Sequence, residues 1–233
     1  MAATTYEYMN PNYKETLDRE WWCTSYQLMP PAEYLDKIKK NDPNLTTLDA
    51  SCRQLQGSRV EVLAELMQNN TTITNIDLRG NGFDADGLYA LVVALKTMPN
   101  VKKINLRNNT CRNQGVVALG EYLATNKTLV ELNLNENNLG DAGAIALANG
   151  LKTNKTLKSI DLSLNYIGDE GAAALAEMLD ANKTLEQLTI SGNEIQDAEL
   201  RKKCRSRKPT KPMAAFYAKG PSVEGYPSAL KPI

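Results

Sequence analysis

The side chains with chemistry to offer are charged or amide-bearing, and they recur at a fixed interval. Arg79 and Arg107 stand 28 residues apart, with Lys102 and Lys103 just ahead of Arg107. Asp77, Asn105 and Asn133 each lie two residues before Arg79, Arg107 and Asn135. Such a set makes ion pairs and hydrogen bonds with another surface, and it contains no paired nucleophile and base. The chain has no histidine. That removes the commonest general base, the commonest zinc ligand and every Ser–His or Cys–His arrangement. Four cysteines (Cys23, Cys52, Cys111 and Cys204) are far apart with no CxxC pair, so neither a disulfide framework nor a zinc site follows from their spacing. No catalytic residue, cofactor or metal is expected, and the chain reads as a non-enzyme.

A second group of cations comes late in the chain: Arg201, Lys202, Lys203, Arg205, Arg207, Lys208 and Lys211, followed by Phe216, Tyr217 and Tyr226. Residues 1–200 hold 18 Lys/Arg against 26 Asp/Glu, whereas residues 201–233 hold 9 against the single Glu224. An acidic body with a basic tail is a statement about partners. The body would repel phosphates, which disfavours nucleic acid, so an acidic protein surface is the expected target of the tail. No small-molecule substrate is expected. The opening residues show no basic stretch followed by an apolar one, and no apolar run approaches the roughly 18 residues of a membrane span. The expectation is a cytoplasmic protein away from membranes.

What must position these side chains is a repeat of 28 residues without insertions. Units begin at Leu45, Ile73, Val101, Leu129, Leu157 and Leu185. Each opens with an LxxLxL pattern, such as Leu129, Leu132 and Leu134, whose alternation places apolar side chains on one face of a short strand. An asparagine follows at the ninth position: Asn81, Asn109, Asn137, Asn165 and Asn193. At such a corner a carboxamide satisfies backbone groups that would otherwise be buried and unpaired. The central Asn137 should therefore carry more stability than Asn81, nearer an irregular end. Gly140–Asp141 and Gly168–Asp169 predict a turn and a helix cap. A helix then places Leu147 and Leu151, or Leu175 and Leu179, inward. Asn-Lys-Thr recurs at Asn126, Asn154 and Asn182, with Asn-Thr-Thr at Asn70. These match a glycosylation sequon but fall at the repeat period, so they read as structural corners. Cys111 takes a slot filled by Leu139 and Ile167 elsewhere, and is read as core.

Residues 45–204 resemble the ribonuclease-inhibitor-like leucine-rich repeats. The resemblance implies an α/β solenoid, a horseshoe of six βα units with an inner parallel sheet and outer helices. It also implies a binding surface along the inner strand positions, where Asp77, Arg79, Lys102, Lys103, Asn105, Arg107, Asn133 and Asn135 fall. The alternative for these residues is that Asp77 and Asn105 simply pair with the neighbouring arginines on a solvated face. Relatives include the activating protein of the Ran GTPase, which has more repeats and an acidic C-terminal segment, and the actin pointed-end cap tropomodulin, whose repeat domain is of similar size.

The flanks depart from the period. Residues 1–44 hold 7 of the 14 aromatics and read as an arm and cap, with Leu17, Trp21, Leu35 and Ile38 covering the first unit and Tyr6, Tyr8 and Tyr13 suited to docking. Residues 205–233 hold five of the ten prolines. A segment of that composition does not fold alone, and holding it needs contacts with a partner or with its own solenoid. Its anchors are the cations Arg205, Arg207, Lys208 and Lys211 with Phe216, Tyr217 and Tyr226. Together these readings give a non-catalytic interaction module, a structural or adaptor subunit of a multi-subunit complex. Short proteins of this subfamily with such arms look like components of the cytoskeleton and of ciliary axonemes. A regulator of a small GTPase is the alternative.

Overall fold

The computed structural model of the protein describes residues 32–204. A short helix, α1 (Ala32–Lys39), leads into six strand–helix units. In order these are β1 (Thr47–Asp49), α2 (Ser58–Met67), β2 (Asn75–Asp77), α3 (Ala85–Leu95), β3 (Lys103–Asn105) and α4 (Arg112–Thr125). Then follow β4 (Glu131–Asn133), α5 (Asp141–Thr153), β5 (Ser159–Asp161), α6 (Asp169–Ala181), β6 (Gln187–Thr189) and α7 (Ala198–Lys203). The strands form one parallel sheet in sequence order, β1 to β6. Its register is the sequence period itself: Leu48 pairs with Ile76, Ile76 with Ile104, Ile104 with Leu132, Leu132 with Ile160 and Ile160 with Leu188.

That central row faces the helices and is buried along its whole length. With the leucines of the helices it makes one continuous core running from Leu35 and Ile38 in α1 to Cys204. A single unit could not bury its apolar face alone, so the stack is held together by neighbours. Neighbouring strands need about 4.8 Å and packed helices about 8–10 Å, so the helical side is the longer one and the sheet lines the inside. Of the N-terminal residues read as a cap, Leu35 and Ile38 lie in this core. Tyr34 adds to them: its hydroxyl donates to the Thr47 carbonyl and accepts from the Asp49 N–H, both at 3.0 Å, closing the free edge of β1. Tyr6, Tyr8, Tyr13, Leu17 and Trp21 lie outside the described residues.

The corner asparagines form a ladder between units. Asn165 is representative: its Nδ2 donates to the carbonyls of Leu134 and Leu162, and its Oδ1 accepts from the N–H groups of Asn137 and Leu139. A second ladder runs along the opposite corner. Asn182 Nδ2 donates to the Leu151 and Asn154 carbonyls, and its Oδ1 accepts from the N–H of Thr184 and Leu185. The Asn-Lys-Thr repeats are therefore structural corners. Met98 stands in this ladder between Asn70 and Asn126, buried in the core rather than hydrogen-bonded. Cys111 is fully buried, and burial pushes its thiol well above the usual range.

One expectation is corrected. The Gly-Asp pairs do not cap their own helices; the N-cap residues of α5 and α6 are Gly140 and Gly168, which have no side chain to give. Each cap comes from the preceding unit. Asn113 Oδ1 accepts from the Gly140 and Gly143 N–H groups at 2.8 and 3.1 Å, and Asp141 Oδ1 from those of Gly168 and Gly171 at 2.7 and 2.8 Å. Asp169 Oδ1 accepts from the Gln196 and Asp197 N–H groups just ahead of α7, which is capped by its own Asp197. Local spacing showed a capping residue but not which helix it serves. Asp141→Ala should accordingly cost about 1–2 kcal/mol in urea unfolding, whereas Asp141→Asn should recover most of it because Asn113 already performs this role with an amide oxygen.

Candidate functional site

The strand residues on either side of the buried row point to the inner face. One row holds Lys103 and Glu131, the next is Asp49, Asp77, Asn105, Asn133, Asp161 and Thr189, and just beyond the strands follow Ser51, Arg79, Arg107, Asn135, Ser163 and Ser191. The middle row is largely spent on holding the sheet. Asn105 Nδ2 donates to Asp77 Oδ1 at 2.9 Å, and the backbone N–H groups of Arg79 and Arg107 donate to Asp77 and Asn105. Asn133 Oδ1 likewise accepts from the Asn135 N–H, and Asn135 Nδ2 donates to the Ser163 carbonyl. Asp77, Asn105, Asn133 and Asn135 are all buried within the chain. Burial pushes the Asp77 carboxyl above its ordinary range, opposed by the Arg79 N–H and guanidinium.

The accessible chemistry of this face is cationic at β2 and β3 and acidic at β4. Arg79 Nε lies 3.6 Å from Asp77, Lys103 Nζ lies 3.0 Å from Glu131, and Arg107 Nη2 lies 3.4 Å from Glu136. Lys102 is exposed beside them. Ion pairs as open as Lys103–Glu131 and Arg107–Glu136 contribute about 0–1 kcal/mol each, so an incoming carboxylate would exchange with Glu131 or Glu136 at little cost. The structure therefore brings Arg79, Lys103 and Arg107 together on a floor of locked amides, with Lys102 exposed just ahead of β3. It also supplies two residues that sequence reasoning missed, Glu131 and Glu136. The signal was there, since Glu131 occupies the same strand position as Lys103 one period later.

Among the described residues no group of three or more His, Cys, Asp or Glu side chains is placed to hold a metal ion, and no helix is long and apolar enough to cross a membrane. The tail residues Arg205, Arg207, Lys208, Lys211, Phe216, Tyr217 and Tyr226 lie outside the described residues. At the boundary, Lys203 Nζ lies 2.8 Å from Asp180, whose carboxylate raises the lysine's pKa.

Comparison with known proteins adds the following. A family model described as a leucine-rich repeat matches residues 69–92, 125–148, 153–176 and 181–198. The unmatched interval 93–124 contains Met98 in place of the corner asparagine and the irregular turn at Asn108 to Arg112. No curated protein sequence matches the chain. Among solved structures, that of leiomodin-1 actin-binding site 2 superposes with a TM-score of 0.54 at 23% identity, over 64% of this chain and 87% of that one. The C-terminal domain of tropomodulin from Caenorhabditis elegans gives 0.50 at 18% identity, over 64% of this chain and 91% of that one. At these identities the likeness is one of fold.

Proposed function

The chain is a leucine-rich-repeat protein, and from that premise we propose that it is a non-catalytic protein-interaction module, a structural or adaptor subunit in a cytoskeletal assembly. Its α/β solenoid is consistent with the ribonuclease-inhibitor-like type. The observation that carries the reading is the inner face: Arg79 and Arg107, one repeat apart just beyond β2 and β3, stand with Lys103 above side chains already held by hydrogen bonds, and Lys102 is exposed beside them. Rigid placement lowers the entropy that binding must overcome, and the cations select an acidic partner surface. The basic run of the tail would add a longer-range, salt-sensitive attraction of the same sign. The cytoskeletal setting draws on the likeness to a structure titled as an actin-binding site. The comparisons bring no support for a ciliary axoneme.

Co-sedimentation with actin filaments and with microtubules tests this reading, because both are acidic polymers. The chain should pellet with at least one of them and be released by salt. Lys102→Glu combined with Arg107→Glu should weaken that binding at least about tenfold, since two attractions become repulsions. Unfolding stability of the double variant should stay within about 1 kcal/mol of the parent, because surface ion pairs contribute little. Failure to pellet with either polymer, or pelleting indifferent to both substitutions, would remove the assignment.

A further inference from the structure

Away from the inner face, the turns from strand to helix carry a second surface. In units 4 to 6 these turns are residues 136–142, 164–170 and 192–198. Apart from Glu136, which turns to Arg107 on the inner face, they contain Asp141, Asp169, Glu170, Glu194 and Asp197 and no lysine or arginine. At their centre two large apolar side chains stand in solvent: Leu164 is 51% exposed and Tyr166 58%.

Both are held rather than loose. The Leu164 N–H donates to the Ser191 carbonyl and the Tyr166 N–H to the Leu139 carbonyl, at 2.8 and 2.7 Å. The Leu164 side chain leans over Gly192, where an added Cβ would come within 2.5 Å of its Cδ2. Leu164 also sits in the left-handed region, at φ +56, as do Cys52, Gly80, Asn108, Glu136 and Gly192 at the same place in the other units. Glycine satisfies that backbone in two units, so a bulky, solvent-facing leucine there is disfavoured by both conformation and hydration.

We propose that this acidic edge is a docking site for the chain's own C-terminal segment, residues 205–233, in the free protein. The inference rests on the reading of the tail as an arm that seeks acidic surfaces. It places one such surface on the chain itself, in competition with the external partner. Two observations select this occupant. The first is charge: residues 205–233 carry six Lys/Arg against Glu224, and place Phe216 and Tyr217 among them. The second is reach. Cys204, the last described residue, lies ten positions along its unit from the place equivalent to Tyr166, a path of roughly 25 Å through a turn and short helix. The twelve residues from Cys204 to Phe216 span up to about 40 Å. A tethered segment of this length acts at an effective concentration of order millimolar, which favours it over a free competitor of equal affinity.

The test places the photo-crosslinker p-benzoylphenylalanine at position 166 of the full chain, in an equimolar mixture of isotopically light and heavy protein. Single-mass crosslinks into residues 205–233 are expected. Their yield should fall at least about tenfold in the doubly substituted Glu170→Lys, Glu194→Lys protein and at about 0.5 M salt. Circular dichroism of that variant should be unchanged, because both side chains are exposed. Mixed-mass crosslinks would assign the edge to a second copy. Crosslinks only outside the tail, none at all, or a yield indifferent to the charge reversal would overturn the proposal. If any of these accompanies salt-sensitive, tail-dependent pelleting, the docking inference falls while the reading of the tail as an acid-seeking arm stands.

Discussion

Replacing Gly150 with alanine is expected to destabilise the protein by about 3 kcal/mol or more, at the upper end of the range for overpacking. At position 150 an added Cβ would lie 2.0 Å from the Gly120 carbonyl oxygen and 2.8 Å from its carbon. Both neighbours are backbone, so no rotamer change can relieve the clash; helices α4 and α5 must move apart. Gly120 faces the same constraint, with an added Cβ 2.5 Å from the Ala146 carbonyl oxygen. For a chain of this size each kcal/mol corresponds to about 2–4 °C, so the melting temperature should fall by roughly 6–12 °C. Gly140→Ala is the control: its nearest neighbour would be 3.5 Å away, so it should cost less than about 1 kcal/mol. Equal melting temperatures for the Gly150 and Gly140 variants would show that the helix seam yields easily. The seam matters to the inner face as well. It joins the unit of Lys102, Lys103 and Arg107 to that of Glu131 and Glu136, and tighter helix spacing there flattens the curve of the sheet locally.

The parts of this architecture legible in the sequence are those that a period alone determines. Six strands begin two residues after Leu45, Ile73, Val101, Leu129, Leu157 and Leu185, and their register equals the repeat because no unit has an insertion. The corner asparagines were legible for the same reason. What a period cannot show is which unit a side chain serves. Asp141 looks like a local cap, yet it and Asn113, its counterpart one unit earlier, each bond the helix that follows in the stack. Burial on the inner face was also hidden. Asn105 and Asn133 occupy surface positions by pattern, but the stacking of identical rows lets short amides bond to their neighbours and sink beneath the longer charged side chains. Leu164 and Tyr166 were overlooked because apolar residues in a repeat protein are read as core. The clue lay in comparing units, since Leu164 stands where Gly80 and Gly192 stand.

That comparison also inverts the expected ranking of the corner asparagines. Asn165→Ala should cost about 3 kcal/mol, because two backbone N–H groups and two carbonyls lose their partner in a buried setting. Asn81→Ala should be comparable, since Asn81 Oδ1 accepts from the Arg53 and Leu55 N–H groups and its Nδ2 donates to the Ala50 and Leu78 carbonyls. Asn137→Ala should cost less, about 1–2 kcal/mol. Its Nδ2 bonds the Leu106 and Asn135 carbonyls, but its Oδ1 accepts no hydrogen bond among the described residues. The cause is the turn of the preceding unit. There Arg112 adopts positive φ, unlike its counterparts Asp84, Gly140 and Gly168, and its N–H donates to the backbone carbonyl of Asn137. The groups that elsewhere meet the corner oxygen are turned away from it. Position along the stack, which favoured Asn137 over Asn81, therefore matters less than the conformation of the neighbouring turn. Urea unfolding of the three alanine variants decides the matter. If Asn137→Ala proves as damaging as Asn165→Ala, the ladder's strength is set by place in the stack and not by the bonds each rung makes.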